Sequence, residues 1–160
     1  MKVLVCTVVH NPTDARIFRR EIGALLDAGH EVTAIAPWRT DTPGDNRVVR
    51  VSVPRAVGRR RLYALRAARA RMRDLCATHD VLLIHDPELL VAVPWADARR
   101  TRTAVVWDVH EDLGAALLNK SYVPAALRKP LAKVVRIVER WAENRCTLLL
   151  AEKGYQARFR

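Results

Sequence analysis

The sequence predicts an α/β fold, a doubly wound parallel sheet with helices on both faces. Three observations predict it. Short β-branched runs alternate with segments of helical periodicity along the whole chain, the pattern that builds parallel sheets with crossover helices. The first run, residues 2–9, is nearly continuous in apolar and β-branched residues, as a central strand covered on both faces must be. Ionisable residues then cluster where strands should end, most densely after the run that starts at Ala104, where Asp108, His110 and Glu111 fall within four positions.

Taken in order, strand 1 over 2–9 leads through His10-Asn11-Pro12-Thr13-Asp14 into a helix over 16–28. Phe18, Ile22, Leu25 and Leu26 share one face of that helix, and Gly29 stops it. Strand 2 covers 31–36, and a loop with two Pro and one Gly leads to strand 3 over 47–53, which alternates as a strand near an edge does. A helix over 59–78 should turn Leu62, Leu65, Ala68, Met72 and Leu75 inward. Strand 4 covers 80–84. Pro87 suits the first turn of the next helix, with Asp86 as its N-cap, and Pro94 kinks or shortens that helix. Strand 5 begins at Ala104. A partly helical link over 114–123, a helix over 124–145 with a break or bend at Pro130, strand 6 over 146–151 and the start of a helix at 153 complete the chain.

At 160 residues, half of them hydrophobic, the chain can bury the core of one domain. Its net charge is +11, and 23 of its 28 basic residues are Arg. That balance permits an anionic partner: phosphate, nucleic acid or a membrane surface. The Arg residues cluster on two helices. Arg66, Arg69 and Arg73 follow Arg59-Arg60-Arg61 on one. Lys129, Lys133, Arg136 and Arg140 lie on the other, beside an apolar face of Leu127, Leu131, Val134, Val138 and Trp141. Such a helix can lie on an anionic membrane, but the expected arrangement is a solvated basic face whose apolar side packs on the sheet. No aromatic set is interleaved with these charges, which argues against a single-strand nucleic-acid groove. Cys6, Cys76 and Cys146 are odd in number without CxxC spacing, so a reducing cytoplasm is expected in place of a disulfide or zinc framework. The apolar run 3–9 is too short for a signal peptide, and no later run approaches a membrane span. A cytoplasmic protein, able to touch the inner face of a membrane peripherally, is the expectation.

In doubly wound sheets ligands bind outside the carboxyl ends of the strands, where the winding reverses. With strand order 3-2-1-4-5-6, strands 1, 4 and 5 are neighbours, and their ends carry His10 to Asp14, His85-Asp86 and Asp108 to Glu111. Three segments thus deliver three His and several carboxylates to one crevice, able to orient a hydroxyl, hold a phosphate or move a proton. For the Asp108 to Glu111 stretch alone, a capping Asp108 and a core His110 are as reasonable. The loop after strand 1 has no glycine, which disfavours NAD, FAD and P-loop nucleotides. A Ser elbow is missing, and no His pair has the spacing of a strong metal signature.

Certain stretches resemble a known family. Residues 10–21 (His-Asn-Pro-Thr-Asp-Ala-Arg-Ile-Phe-Arg-Arg-Glu), with 25–33 after them, resemble the opening of bacterial glycosyltransferases of family 4, which have the GT-B fold. Residues 84–90 (Ile-His-Asp-Pro-Glu-Leu-Leu) and 106–111 (Val-Trp-Asp-Val-His-Glu) look like two further blocks of that subgroup, in the same order. The resemblance implies that residues 1–160 are the N-terminal, acceptor-side Rossmann-like domain, one half of a GT-B fold. It implies that His110 faces the transferring sugar, with Asp108 and Glu111 ordering that loop as the catalytic set. His10, Asp14 and Arg16 would line the cleft beside donor phosphates or acceptor, and His85, Asp86 and Glu88 the acceptor side. Family members retain the anomeric configuration, and the departing nucleotide helps deprotonate the acceptor.

The chain departs from many relatives in lacking a glycine pair after strand 1, and no two Glu have the seven-residue separation of the family's donor-site motif. The nucleotide-sugar site is therefore expected mainly on a C-terminal domain outside this chain, with the chain an excised domain more readily than a split subunit. No cofactor is expected, since the nucleotide sugar is a substrate; the acceptor would be a carbohydrate, a lipid-linked sugar or a small molecule. Two readings from other classes remain: a metal-dependent hydrolase using the His/Asp crevice, and a non-catalytic module for an anionic partner.

Overall fold

The structure, a computed structural model, describes residues 1–110, 112–119 and 123–159. The expectation for Glu111 falls outside them. Six parallel strands form one sheet in the order β3-β2-β1-β4-β5-β6, as expected for a Rossmann-like α/β fold. They are β1 (Lys2–Cys6), β2 (Glu31–Ala36), β3 (Val48–Ser52), β4 (Val81–Ile84), β5 (Ala104–Val109) and β6 (Thr147–Leu150). Helices α1 (Gly23–Asp27), α2 (Arg61–Cys76), α3 (Trp95–Thr101), α4 (Leu113–Asn119) and α5 (Ala125–Glu143) accompany them.

Period-two alternation divides the central strands between two cores. Leu4 and Cys6 of β1 pack with Ala64, Ala68 and Met72 of α2. Val3 and Val5 pack on the other face with Ile17, Ile22 and Leu26. The edge strand β3 exposes three of its five residues, in keeping with its single neighbour.

Several expectations need correction. Strand β1 ends at Cys6 and not Val9, because the Val8 and Val9 amides leave the sheet for a buried carboxylate. The first helix is not regular. Ala15–Ile22 winds as a π-helix before α1 begins, which buries Ile17 and Ile22, five residues apart, on the same core. Gly29, at φ +78°, terminates it as expected.

Helix α2 faces the sheet through Ala64, Ala68, Met72 and Cys76, while Leu62 is 68% exposed. Ala64 and Ala68 let the helix lie close to the strands, Met72 fills the core beyond them, and Leu65 and Leu75 pack at the margins. Residues 87–101 split at Pro94 into a 3-10 turn (Pro87–Val91) and α3. Helix α5 runs through Pro130 without a break. It also buries Ala132, Glu139 and Ala142 and turns Leu127, Leu131, Val134 and Trp141 outward, so that of the expected apolar face only Val138 packs against the core. The chain then forms a 3-10 turn, Lys153–Ala157. Among the described residues no helix is long and apolar enough to cross a membrane.

Candidate functional site

The strand order brings the ends of β1, β4 and β5 side by side, and three imidazoles meet there. The rings of His85 and His110 stack with centroids 5.6 Å apart. His10 meets His110 edge-on at 5.5 Å. His10, His85, Pro87, Trp107 and His110 line a cavity of about 330 Å³.

Two buried carboxylates organise this crevice. Asp86 occupies the N-cap position of the Pro87–Val91 turn, yet its side chain makes no capping bond. It reaches back across the sheet instead. It accepts from Thr7 Oγ1 at 2.9 Å, Val8 N at 2.5 Å, Val9 N at 3.2 Å and His10 Nδ1 at 2.7 Å. A glycine-rich loop would offer such amides to a phosphate. Here they are spent on a carboxylate of the same chain, which explains structurally why the loop needs no glycine. Burial pushes the Asp86 carboxyl up, but the bonds from His10, Val8 and Val9 together hold it below its ordinary value. The hydrogen bond to Asp86 in turn raises His10 above 6.5, against the effect of burial.

Asp108 is the second centre and is fully buried. Its Oδ1 accepts from Arg16 Nη2 at 2.6 Å, and its Oδ2 from His85 Nδ1 at 3.1 Å. His110 Nδ1 faces the same Oδ2 at 3.2 Å without an aligned hydrogen bond among the described residues. Two imidazoles thus compete for one oxygen, and His85 holds it. Asp108 does not cap the following helix; Asp112 does, accepting from Ala115 N at 2.9 Å. Burial opposes ionisation of Asp108, yet the hydrogen bond from His85 and the neighbouring imidazoles hold its carboxyl below the ordinary value. Burial lowers His110 to about 4; Asp108 opposes this, while Arg16, His85 and His10 add to it. At neutral pH His110 is therefore an uncharged imidazole, and Nε2 is the nitrogen not turned toward Asp108.

Glu21 completes the network, and sequence reasoning did not place it in the site. Its Oε1 accepts from Arg16 Nε at 3.2 Å, and its Oε2 lies 3.6 Å from His85 Nε2. The π-winding sets residues i and i+5 over one another, which stacks Glu21 on Arg16. Burial raises the Glu21 carboxyl to about 7; the Asp108 charge adds to this and His85 opposes it. One guanidinium thus serves two carboxylates, of which Asp108 stays ionised and Glu21 is half protonated near pH 7. Tyr155 was also missed. Its hydroxyl donates to the His110 carbonyl at 2.9 Å and ties the loop after β5 to the Lys153–Ala157 turn.

A pH dependence follows for Glu21. Its folded value lies above the ordinary 4.5, so its contribution to stability is fully present below pH 4.5 and is lost as pH rises through about 7. In thermal melts across pH, Glu21→Gln should flatten the decline over that window. Parallel wild-type and variant profiles would remove Glu21 from the network.

The other expected site residues are placed differently. Arg16 points into the protein at Asp108. The Asp14 carboxylate caps the π-helix, accepting from Arg16 N at 2.9 Å and Ile17 N at 3.2 Å. Glu88 turns to α2 and accepts from Arg61 Nη1 at 3.0 Å. Ligand atoms of His85, Asp108 and His110 lie within 4.8 Å of one another, close enough to share a metal ion. The Arg16 guanidinium on Asp108 places a fixed positive charge beside any such ion, which disfavours it.

Comparison with known proteins separates the fold from the family. The chain superposes on the crystal structure of a short-chain dehydrogenase/reductase from Burkholderia vietnamiensis with a TM-score of 0.50, covering 98% of this chain and 88% of that one. At 12% identity that similarity shows the fold alone. A search of curated proteins gave no match. The model of Glycosyltransferase Family 4 matches residues 15–158. That span holds Arg16, Glu21, His85, Asp86, Asp108 and His110, the residues that build the crevice with His10, and the chain belongs to Glycosyltransferase Family 4.

Proposed function

We propose that this domain binds the acceptor in a retaining glycosyltransferase that uses a nucleotide-sugar donor and has the two-domain GT-B architecture. The carrying observation is the uncharged His110, set against Asp108 at the carboxyl end of β5 and lining the cavity with His10 and His85. A neutral imidazole can accept a hydrogen bond from a sugar or acceptor hydroxyl and fix it in line with the anomeric carbon. The bond from the anomeric carbon to the donor phosphate breaks and a bond to the acceptor oxygen forms on the same face. The hydroxyl proton passes to the departing phosphate. Asp108, locked by Arg16, orients the His85 imidazole that stacks on His110, and Asp86 fixes the His10 loop. Donor phosphates would be held mainly by a second domain, because the Val8 and Val9 amides are already engaged by Asp86. Cytoplasmic placement suits a nucleotide-sugar substrate.

The 160-residue chain alone should therefore fold cooperatively, show no measurable sugar transfer, and bind nucleotide sugars only at about millimolar Kd, about −4 kcal/mol. Calorimetric titration with a panel of nucleotide sugars checks this. Micromolar binding would put the donor site on this domain. The proximity of His85, Asp108 and His110 supports the hydrolase reading only if the pure protein carries metal that His85→Ala and His110→Ala lose.

A further inference from the structure

Helix α5 turns its largest apolar side chains away from the protein. Leu127, Leu131, Val134, Ile137 and Trp141 are 51, 42, 55, 59 and 39% exposed. Their spacing puts them on one face as a single stripe along the helix. At its carboxyl end the stripe runs into an apolar groove of about 420 Å³ lined by Leu90, Val91, Val93, Trp95, Ile137 and Trp141. Val91 is itself 64% exposed. The Pro87–Val91 turn borders both this groove and the crevice, through Pro87 at one end and Val91 at the other.

The charges around the stripe have one sign. Lys129, Lys133, Arg136 and Arg140 are exposed on α5, and none forms an ion pair among the described residues. Arg145 lies over the Trp141 ring at 4.3 Å. The two carboxylates of the helix are turned inward: Glu139 is 1% exposed and bonds Arg158 at 2.5 Å, and Glu143 faces the same guanidinium at 3.7 Å. The outward face of α5 therefore presents apolar groups and cations, with its acids withdrawn.

We propose that this face docks on a bilayer containing anionic lipids, with α5 lying in the plane of the surface. The apolar stripe would enter the boundary between headgroups and acyl chains, and the flanking Lys and Arg would contact the lipid phosphates. A second copy of the chain fits less well, since a symmetric contact between two such stripes brings the cationic flanks together. The docking surface is separate from the crevice and does not depend on the proposed sugar transfer.

Co-sedimentation tests it with the 160-residue chain and two kinds of vesicle, phosphatidylcholine alone and phosphatidylcholine mixed with phosphatidylglycerol. The chain should partition onto the anionic vesicles at least tenfold better, with the difference falling steeply as salt is added. Lys129→Glu/Lys133→Glu/Arg140→Glu should lose about 100-fold in partitioning at low salt. Leu131→Ser/Val134→Ser/Ile137→Ser should lose tenfold or more while its melting temperature stays unchanged, because these side chains are exposed. Equal partitioning onto both vesicles, or variants that bind like the wild type, would overturn the proposal. So would a dimer in sedimentation equilibrium that the serine variant dissolves, since the stripe would then be a self-interface.

Discussion

In the enzyme proposed above, His110→Ala should cut sugar transfer by about 100-fold or more, the usual contribution of one positioned imidazole. The fold should survive the change. His110 is only partly buried, and its Nδ1 makes no aligned hydrogen bond among the described residues, so truncation leaves no buried partner stranded. Asp108 keeps Arg16 and His85. The melting temperature should therefore stay close to that of the wild type while turnover collapses. The pH profile supplies a second readout. Burial holds His110 at about 4, so the imidazole is uncharged across the neutral range and gains a proton only as pH falls through about 4. Wild-type transfer should show no loss from His110 protonation near the ordinary 6.5. Unchanged turnover in the variant would remove His110 from the mechanism.

Asp86→Ala should damage the protein in a different way, through stability first. The carboxylate satisfies the Val8 and Val9 amides, the Thr7 hydroxyl and the His10 imidazole. Removing it strands buried donors and an ionic partner, which costs about 3–5 kcal/mol. For a chain of this size that is roughly a 10 °C fall in melting temperature at neutral pH. The sign of the pH effect is fixed on both sides. Asp86 lies below its ordinary 3.8, so its contribution is present above that value and is lost as pH falls through the folded value. His10 lies above 6.5, so its contribution is present below 6.5 and is lost as pH rises through its folded value. The gap between wild type and variant should accordingly be widest between about pH 4 and 6.5. Melting temperatures that coincide at pH 6 would show that the loop after β1 stands without Asp86.

The strand order was legible because alternating strands and crossover helices leave few topologies, and the order then determined which strand ends meet. That is why His10, His85 and His110 could be brought together from the sequence. What the individual side chains do there was not legible. Asp86 before Pro87 reads as a cap from local sequence, but its partners lie about 77 residues away, across the sheet. Glu21 joins the site through a π-helix, and apolar periodicity reads that segment as an ordinary helix because Ile22 fits both windings. The amphipathic pattern of α5 shows that an apolar face exists; which face is buried depends on the small Ala132 and Ala142 and on a buried partner for Glu139. Glu139 inside and Leu131 outside invert the usual rule because Arg158, far along the chain, supplies the buried partner.

Chemical-shift mapping of the 160-residue chain, titrated with nucleotide sugars as the donors of the proposed reaction, locates the substrate end of the sheet in one measurement. Millimolar binding in fast exchange suits the method. The shifts should concentrate in residues 7–16, 85–88 and 108–112, with the ring signals of His10 and His110 among the largest. Shifts that instead gather at the opposite end, around His30, His79 and Thr103, would contradict a sugar-transfer site at the carboxyl ends of β1, β4 and β5.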